Sequence, residues 1–246
     1  MAGTKVDVCA FGAHPDDVEL SAGGTLAKLA ESGAKTAIVD LTQGELGTRG
    51  SATLRLEEAQ TSAQILGLSH RENLQMADGF FSVDERHLKT IIEVIRRLRP
   101  EIVLANSLDD RHPDHGRGAE LVSRACFLSG LRKIDTLDKH TNMPQEAWRP
   151  RAVWHYIQDR WREPDFVVDI AGFERVKERA ILAFKSQFHN AEKPNDEEPA
   201  TPISSPEFLE TVKGRSLAMG RLAGLHLGEG FEGQRPPAVD DLRSLL

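Results

Sequence analysis

Short apolar runs alternate with helical segments through the first half of the chain, and this order leaves few folds open. Residues 6–11, 36–41, 71–75 and 102–105 read as strands, the third the weakest. Behind the third, Leu88, Ile91, Ile92, Ile95 and Leu98 recur at helical spacing until Pro100 stops them. Ser82-x-x-Glu85 matches a capping box for that helix, Thr53 caps the one before it, and Gly33 and Gly67 serve as stops. Such an order predicts an α/β fold, a Rossmann-like and mostly parallel sheet with helices on both faces. After residue 130 the alternation loosens. Strands at 152–157 and 166–170 and helices at 173–188 and 207–225 extend the sheet at its C-terminal side. Residues 190–206, with four prolines, read as a long loop. With no repeat and no compositional break, residues 1–246 read as one domain.

Two strand ends carry the chemistry. Ala13-His-Pro-Asp-Asp follows the first strand and His112-Pro-Asp-His follows the fourth. Open α/β sheets build their sites at such carboxyl ends. Imidazole and carboxylate together suit a borderline divalent ion. His14 and Asp17, three apart where strand turns to helix, face one point, and His115 joins them from the second motif. Three ligands leave a fourth position open, as a catalytic Zn2+ site requires. Fe2+ or another divalent ion suits the same set. Asp16 is left to take a proton from water, and His112 to stabilise an oxyanion, with Asp114 holding its ring in the protonated form. Taken singly, each motif also reads as a capped helix start: Asp16-x-x-Glu19 resembles a capping box, and Asp114 could cap the helix after the 106–116 loop. Their joint occurrence at two strand ends favours the metal.

The net charge of −7 argues against a nucleic-acid groove and a basic membrane face. Two cysteines, Cys9 and Cys126, allow no disulfide framework and read as buried thiols. The first residues run into a strand with no apolar signal core, so a cytoplasmic protein is expected. The first strand lacks Gly-x-Gly-x-x-Gly, which speaks against a non-catalytic nucleotide-binding module. Arg49, Arg55, Arg111 and Arg117 fall in or beside the two site loops. They would grip an acidic substrate group, or pair with Glu45, Glu57, Asp109 or Asp110.

The two motifs resemble the signatures of the LmbE/PIG-L-like N-acetylglucosaminyl deacetylases. The likeness continues through Leu41-Thr-Gln-Gly-Glu, Arg55-Leu-Glu-Glu-Ala, Lys185-Ser-Gln-Phe and Gly228-Glu-Gly-Phe, and so spans nearly the whole chain. Within that family it is most similar to bacillithiol-pathway enzymes that deacetylate N-acetylglucosaminyl-malate, with a chitobiose-type sugar or a thiol conjugate of N-acetylglucosamine as the alternative substrate. The resemblance implies a zinc site of His14, Asp17 and His115, Asp16 as base, His112 as electrophilic stabiliser or acid, and Arg55 on a small amino-sugar substrate. It also implies a homo-oligomer, often a hexamer. Phe208 stands where close relatives would have a tyrosine near the metal, and Tyr156 is the only tyrosine.

Overall fold

A computed structural model describes residues 5–188 and 198–245. In chain order the elements are β1 (Val8–Gly12), α1 (Asp17–Glu31), β2 (Thr36–Thr42), α2 (Ala52–Leu66), β3 (His70–Met76), α3 (Glu85–Leu98), β4 (Ile102–Ala105) and α4 (Pro113–Leu128). Then follow β5 (Ala152–Tyr156), β6 (Phe166–Asp169), α5 (Glu174–Leu182), α6 (Pro206–Leu222) and β7 (Gly228–Gly233). The strands form one sheet in the order β3-β2-β1-β4-β5-β7-β6. β1 to β5 run parallel, and β7 lies antiparallel between β5 and β6. The order reverses between β1 and β4, so a crevice opens at their carboxyl ends. This is the mostly parallel α/β sheet that the alternating pattern predicts.

Strand alternation sends side chains to two cores. Phe11, Val39 and Val103 meet Ile91, Ile95 and Leu98 of α3 and Leu121 and Val122 of α4. Ala10, Ile38 and Leu104 meet Val18, Ala22 and Leu26 of α1, Leu66 of α2 and Ala180 of α5. Helices thus cover both faces. Cys9 and Cys126 are buried and free, and burial raises the pKa of both thiols. No described helix is long and apolar enough to cross a membrane.

Several local expectations need correction. Ser51, not Thr53, caps α2, its hydroxyl accepting from the Leu54 amide at 3.2 Å. Asp84 caps α3 by accepting from the His87 amide at 2.9 Å, and Ser82 only braces that carboxylate. α4 begins at Pro113, inside the stretch read as loop, because proline suits a first helical turn. α5 ends at Leu182, short of residue 188. Of the 190–206 loop, residues 190–197 lie outside the described residues, and α6 starts at Pro206. β7 was not expected, since Gly228-Glu-Gly-Phe-Glu-Gly has little of a strand's composition. Its glycines answer to close packing. A Cβ on Gly230 would sit 2.7 Å from Met219 Sδ, and one on Gly233 2.3 Å from the Trp154 ring.

A polar clamp secures β3. Glu72 accepts from Arg97 Nη2 at 2.6 Å, from Lys139 Nζ at 2.6 Å and pairs with His70 Nε2 at 3.2 Å. Burial alone would raise its pKa, but the bonds from His70, Lys139 and Arg97 hold it well below the ordinary range. A depressed folded pKa contributes stability that is full above the unfolded value of about 4.3 and fades as pH falls below it. Glu72→Gln is expected to lose about 1–3 kcal/mol in urea unfolding at pH 7, with the gap to wild type closing as pH drops below about 4. A gap unchanged by pH would contradict the clamp.

Candidate active site

The site forms where β1 and β4 end side by side. Asn106, just past β4, ties the two together: its Oδ1 accepts from the Ala13 amide at 2.9 Å, and its Nδ2 donates to Asp17 Oδ2 at 3.0 Å and to Gln158 Oε1 at 2.9 Å. Between β1 and α1 the chain passes through Asp16 with φ 115°, a conformation that side chains other than glycine rarely adopt. Such strain concentrates at functional positions. Neither carboxylate of the apparent capping box caps α1. Asp16 Oδ2 instead accepts from Arg55 Nη2 at 2.9 Å, and Glu19 turns to Arg71 and Ser62.

Asp17 stands between the two predicted histidines. Its Oδ1 lies 3.1 Å from His115 Nε2 and its Oδ2 3.7 Å from His14 Nδ1. Each ring is backed on its other nitrogen by a further carboxylate, Asp110 at 2.5 Å from His115 Nδ1 and Asp78 at 3.0 Å from His14 Nε2. Histidines that bind metal are usually fixed this way, with the second nitrogen held by a carboxylate. His112 completes the cluster. Its centroid lies 4.6 Å from that of His14 and 5.2 Å from that of His115. The ring nitrogens of His14, His112 and His115 lie within 4.8 Å of one another, and so do donor atoms of His14, Asp78 and Asp114. Two donor sets can therefore be drawn around His14. The backing of both rings favours the histidine set, in which His112 and not Asp17 is the third member; Asp17 belongs to neither set but lies beside His14 and His115.

Electrostatics suit a cation. Burial works against protonation of His14, yet Asp114, Asp17 and Asp78 hold its pKa well above the ordinary value. His115 is likewise buried, but Asp17 and Asp110 bring it up to about 9. Asp17 is held well below the carboxylate range despite its burial, chiefly by His115. The carboxylates thus favour positive charge, which a divalent ion among these donors would supply. Asp16 differs: burial pushes it up to about 7, against the pull of Arg55. If the site takes a divalent ion, Asp110→Asn is expected to weaken its binding about tenfold to a hundredfold in a chelator competition. Unchanged affinity would remove Asp110 from the support of His115.

Asp114 does not hold the His112 ring. Its Oδ2 accepts from the Gly79 amide at 2.8 Å, and its Oδ1 from Arg117 Nη1 at 2.6 Å. His112 is the N-cap of α4, its Nδ1 accepting from the Asp114 amide at 3.2 Å. Burial, with His14 and His115 alongside, lowers its pKa. A protonated His112 is thus disfavoured. With Nδ1 an acceptor, the neutral ring carries its proton on Nε2.

A cavity of about 270 Å³ opens over this cluster, and His14, Asp16, Arg55, Arg111 and Phe208 line it. Arg55 also donates to Pro15 O at 2.7 Å, so it holds the Asp16 loop. Arg111 is exposed and bonds Asp159 Oδ2 at 2.6 Å, not the acidic residues nearer in sequence. Arg49 does not line the cavity. It is buried against Ser186 O at 3.0 Å and Pro199 O at 3.1 Å, tying the 42–51 loop to distant backbone. Tyr156 is also excluded, being fully buried with its hydroxyl donating to Phe11 O at 2.8 Å. Phe208 stacks on Phe188 with centroids 5.8 Å apart. Asp78, Asn106 and Gln158 were missed from sequence. Each lies within two residues of a strand's carboxyl end, and that position is the one signal that could have pointed to them.

A Rossmann-like sheet with a buried His/Asp cluster at its switch point and a carboxylate poised beside it defines the frame of a metal-site hydrolase. Residues 9–126 match the PIG-L family, described as GlcNAc-PI de-N-acetylase. The diacetylchitobiose deacetylase of Thermococcus kodakarensis is 31% identical over 228 residues, covering 89% of this chain and 79% of that protein. The 4-oxalmesaconate hydratase of Pseudomonas putida is 31% identical over 191 residues, covering 72% of each. The crystal structure of a conserved Thermus thermophilus protein superposes with a TM-score of 0.83 at 32% identity, covering 96% of this chain and 98% of that one. The chain belongs to the PIG-L/LmbE family, and by class it is an amide-hydrolysing deacetylase.

Proposed function

We propose that the protein hydrolyses the acetamide of an N-acetylglucosaminide in a Zn2+-dependent reaction, with N-acetylglucosaminyl-malate giving glucosaminyl-malate and acetate as the favoured case. The observation that carries this reading is the inward turn of His14 and His115 on Asp17, with Asp16 beside them under one cavity. A divalent ion held by His14, Asp17 and His115 would polarise the acetamide carbonyl and acidify water. Asp16, oriented by Arg55, accepts the proton of the attacking water. His112 donates from Nε2 to the oxygen on which negative charge develops, as a neutral donor and not as an imidazolium. As the C–N bond breaks, Asp16 returns its proton to the leaving amine, and acetate remains.

Exposed Arg111 at the cavity favours an acidic aglycone, which the malate conjugate supplies. The Thermococcus kodakarensis relative favours a second reading, deacetylation of a chitobiose-type sugar. Action in the cytoplasm and assembly as a homo-oligomer, a hexamer by resemblance, belong to the same proposal. The test is acetate release from malate-linked, inositol-linked, chitobiose-type and free N-acetylglucosamine. The malate conjugate should give the highest kcat/KM. Preference for the chitobiose-type sugar would select the second reading. Equal rates on all would defeat the malate assignment, and water addition to an unsaturated acid without acetate release would defeat both.

A further inference from the structure

The same cavity holds a guanidinium that comes from far along the chain. Arg215 projects from α6 and lines the cavity together with Phe208 of the same helix. The two lie seven residues apart, two helical turns, and so share one face. The Arg215 side chain is only 17% exposed. Its nearest ionic partner is Asp159 Oδ1, 3.6 Å from Nη2, beyond hydrogen-bond reach, and among the described residues the guanidinium makes no hydrogen bond. Burial lowers its pKa, which Asp159 and Asp110 only partly oppose.

Nearby carboxylates are already spoken for. Asp159 gives its other oxygen to Arg111 Nε at 2.6 Å. Asp110 accepts from the Arg160 amide at 2.7 Å and is bound to His115. Around Asp159 there are thus two guanidinium groups for one carboxylate, and among the described residues the Nη donors of Arg111 and Arg215 are left without hydrogen bonds. A buried guanidinium left this way is costly unless an anion joins it.

We propose that Arg215, with Arg111 across Asp159, forms the subsite that binds a carboxylate on the aglycone of the sugar substrate. It rests on the deacetylase reading for the sugar and adds the residue that selects the aglycone. Arg215 is a specificity residue and takes no part in the bond change. Charge-assisted bonds to a carboxylate are worth about a tenfold to hundredfold difference in affinity.

The experiment measures equilibrium binding of glucosaminyl-malate and of its dimethyl ester by calorimetry, which needs no turnover. Wild type should bind the acid at least about tenfold tighter than the ester. Arg215→Met should cut that preference by at least about threefold, to what Arg111 alone supplies, and leave ester binding unchanged, while Arg215→Lys should restore part of it. Steady-state assays of the acetylated malate conjugate should show the Arg215→Met loss in KM, with kcat nearly unchanged. No preference for the acid in wild type, or equal loss of acid and ester in Arg215→Met, would overturn the proposal. If wild type releases no acetate from any N-acetylglucosaminide, the deacetylase reading falls, and the acid-to-ester ratio still decides the role of Arg215.

Discussion

Asp16→Asn should keep its metal and lose about a hundredfold to ten-thousandfold in acetate release. The substitution preserves shape and an oxygen that can still accept from Arg55, so the loop of residues 13–16 should hold. What it removes is the ability to take a proton from water. Asp16 lies outside the proposed ligand set, since its carboxylate turns to Arg55 while Asp17 faces His14 and His115. Metal content by elemental analysis should therefore match wild type. Full turnover would remove Asp16 from the chemistry, and loss of metal would make it a ligand.

Arg71→Met is expected to produce the largest loss of stability, about 3–5 kcal/mol. The Arg71 side chain, 1% exposed, grips Asp40 of β2 through Nε and Nη2, both at 3.0 Å, and bonds Glu19 of α1. It also donates to Ala59 O of α2 at 3.1 Å. Met fills similar space but strands two buried carboxylates. Even beside Arg71, burial pushes Asp40 up to about 6. Adding Asp40→Asn and Glu19→Gln to Arg71→Met should recover part of the loss, because the stranded charges are then gone. Chemical denaturation measures both effects. A loss under about 1 kcal/mol for Arg71→Met would show that this cluster does not hold α1 to the sheet.

The proximity of the residues inside the short motifs was legible in the sequence. His14, Asp17 and His115 were legible because strand ends bring Ala13-His-Pro-Asp-Asp and His112-Pro-Asp-His to one switch point, and the structure gathers them there. Their supports were not. Asp78 follows β3, Gln158 follows β5 and Arg215 rides on α6, and no local pattern links such distant residues. Arg49 misled because a loop arginine beside a site looks the same in sequence whether it faces substrate or backbone. In the fold, α3 was legible from its apolar spacing. β7 was hidden because tight packing against Trp154 and Met219 selects glycine, which removes the side chains that mark a strand.

A metal held by His14, Asp17 and His115 is proposed to serve amide hydrolysis, and everything else about the site depends on it. The decisive experiment follows acetate release from N-acetylglucosaminyl-malate alongside metal content. It compares the purified protein, the chelated protein and the chelated protein resupplied with Zn2+. One divalent ion per chain is expected, with loss of acetate release on chelation and its return with zinc. Sustained acetate release from fully metal-free protein would contradict the proposed role of the metal.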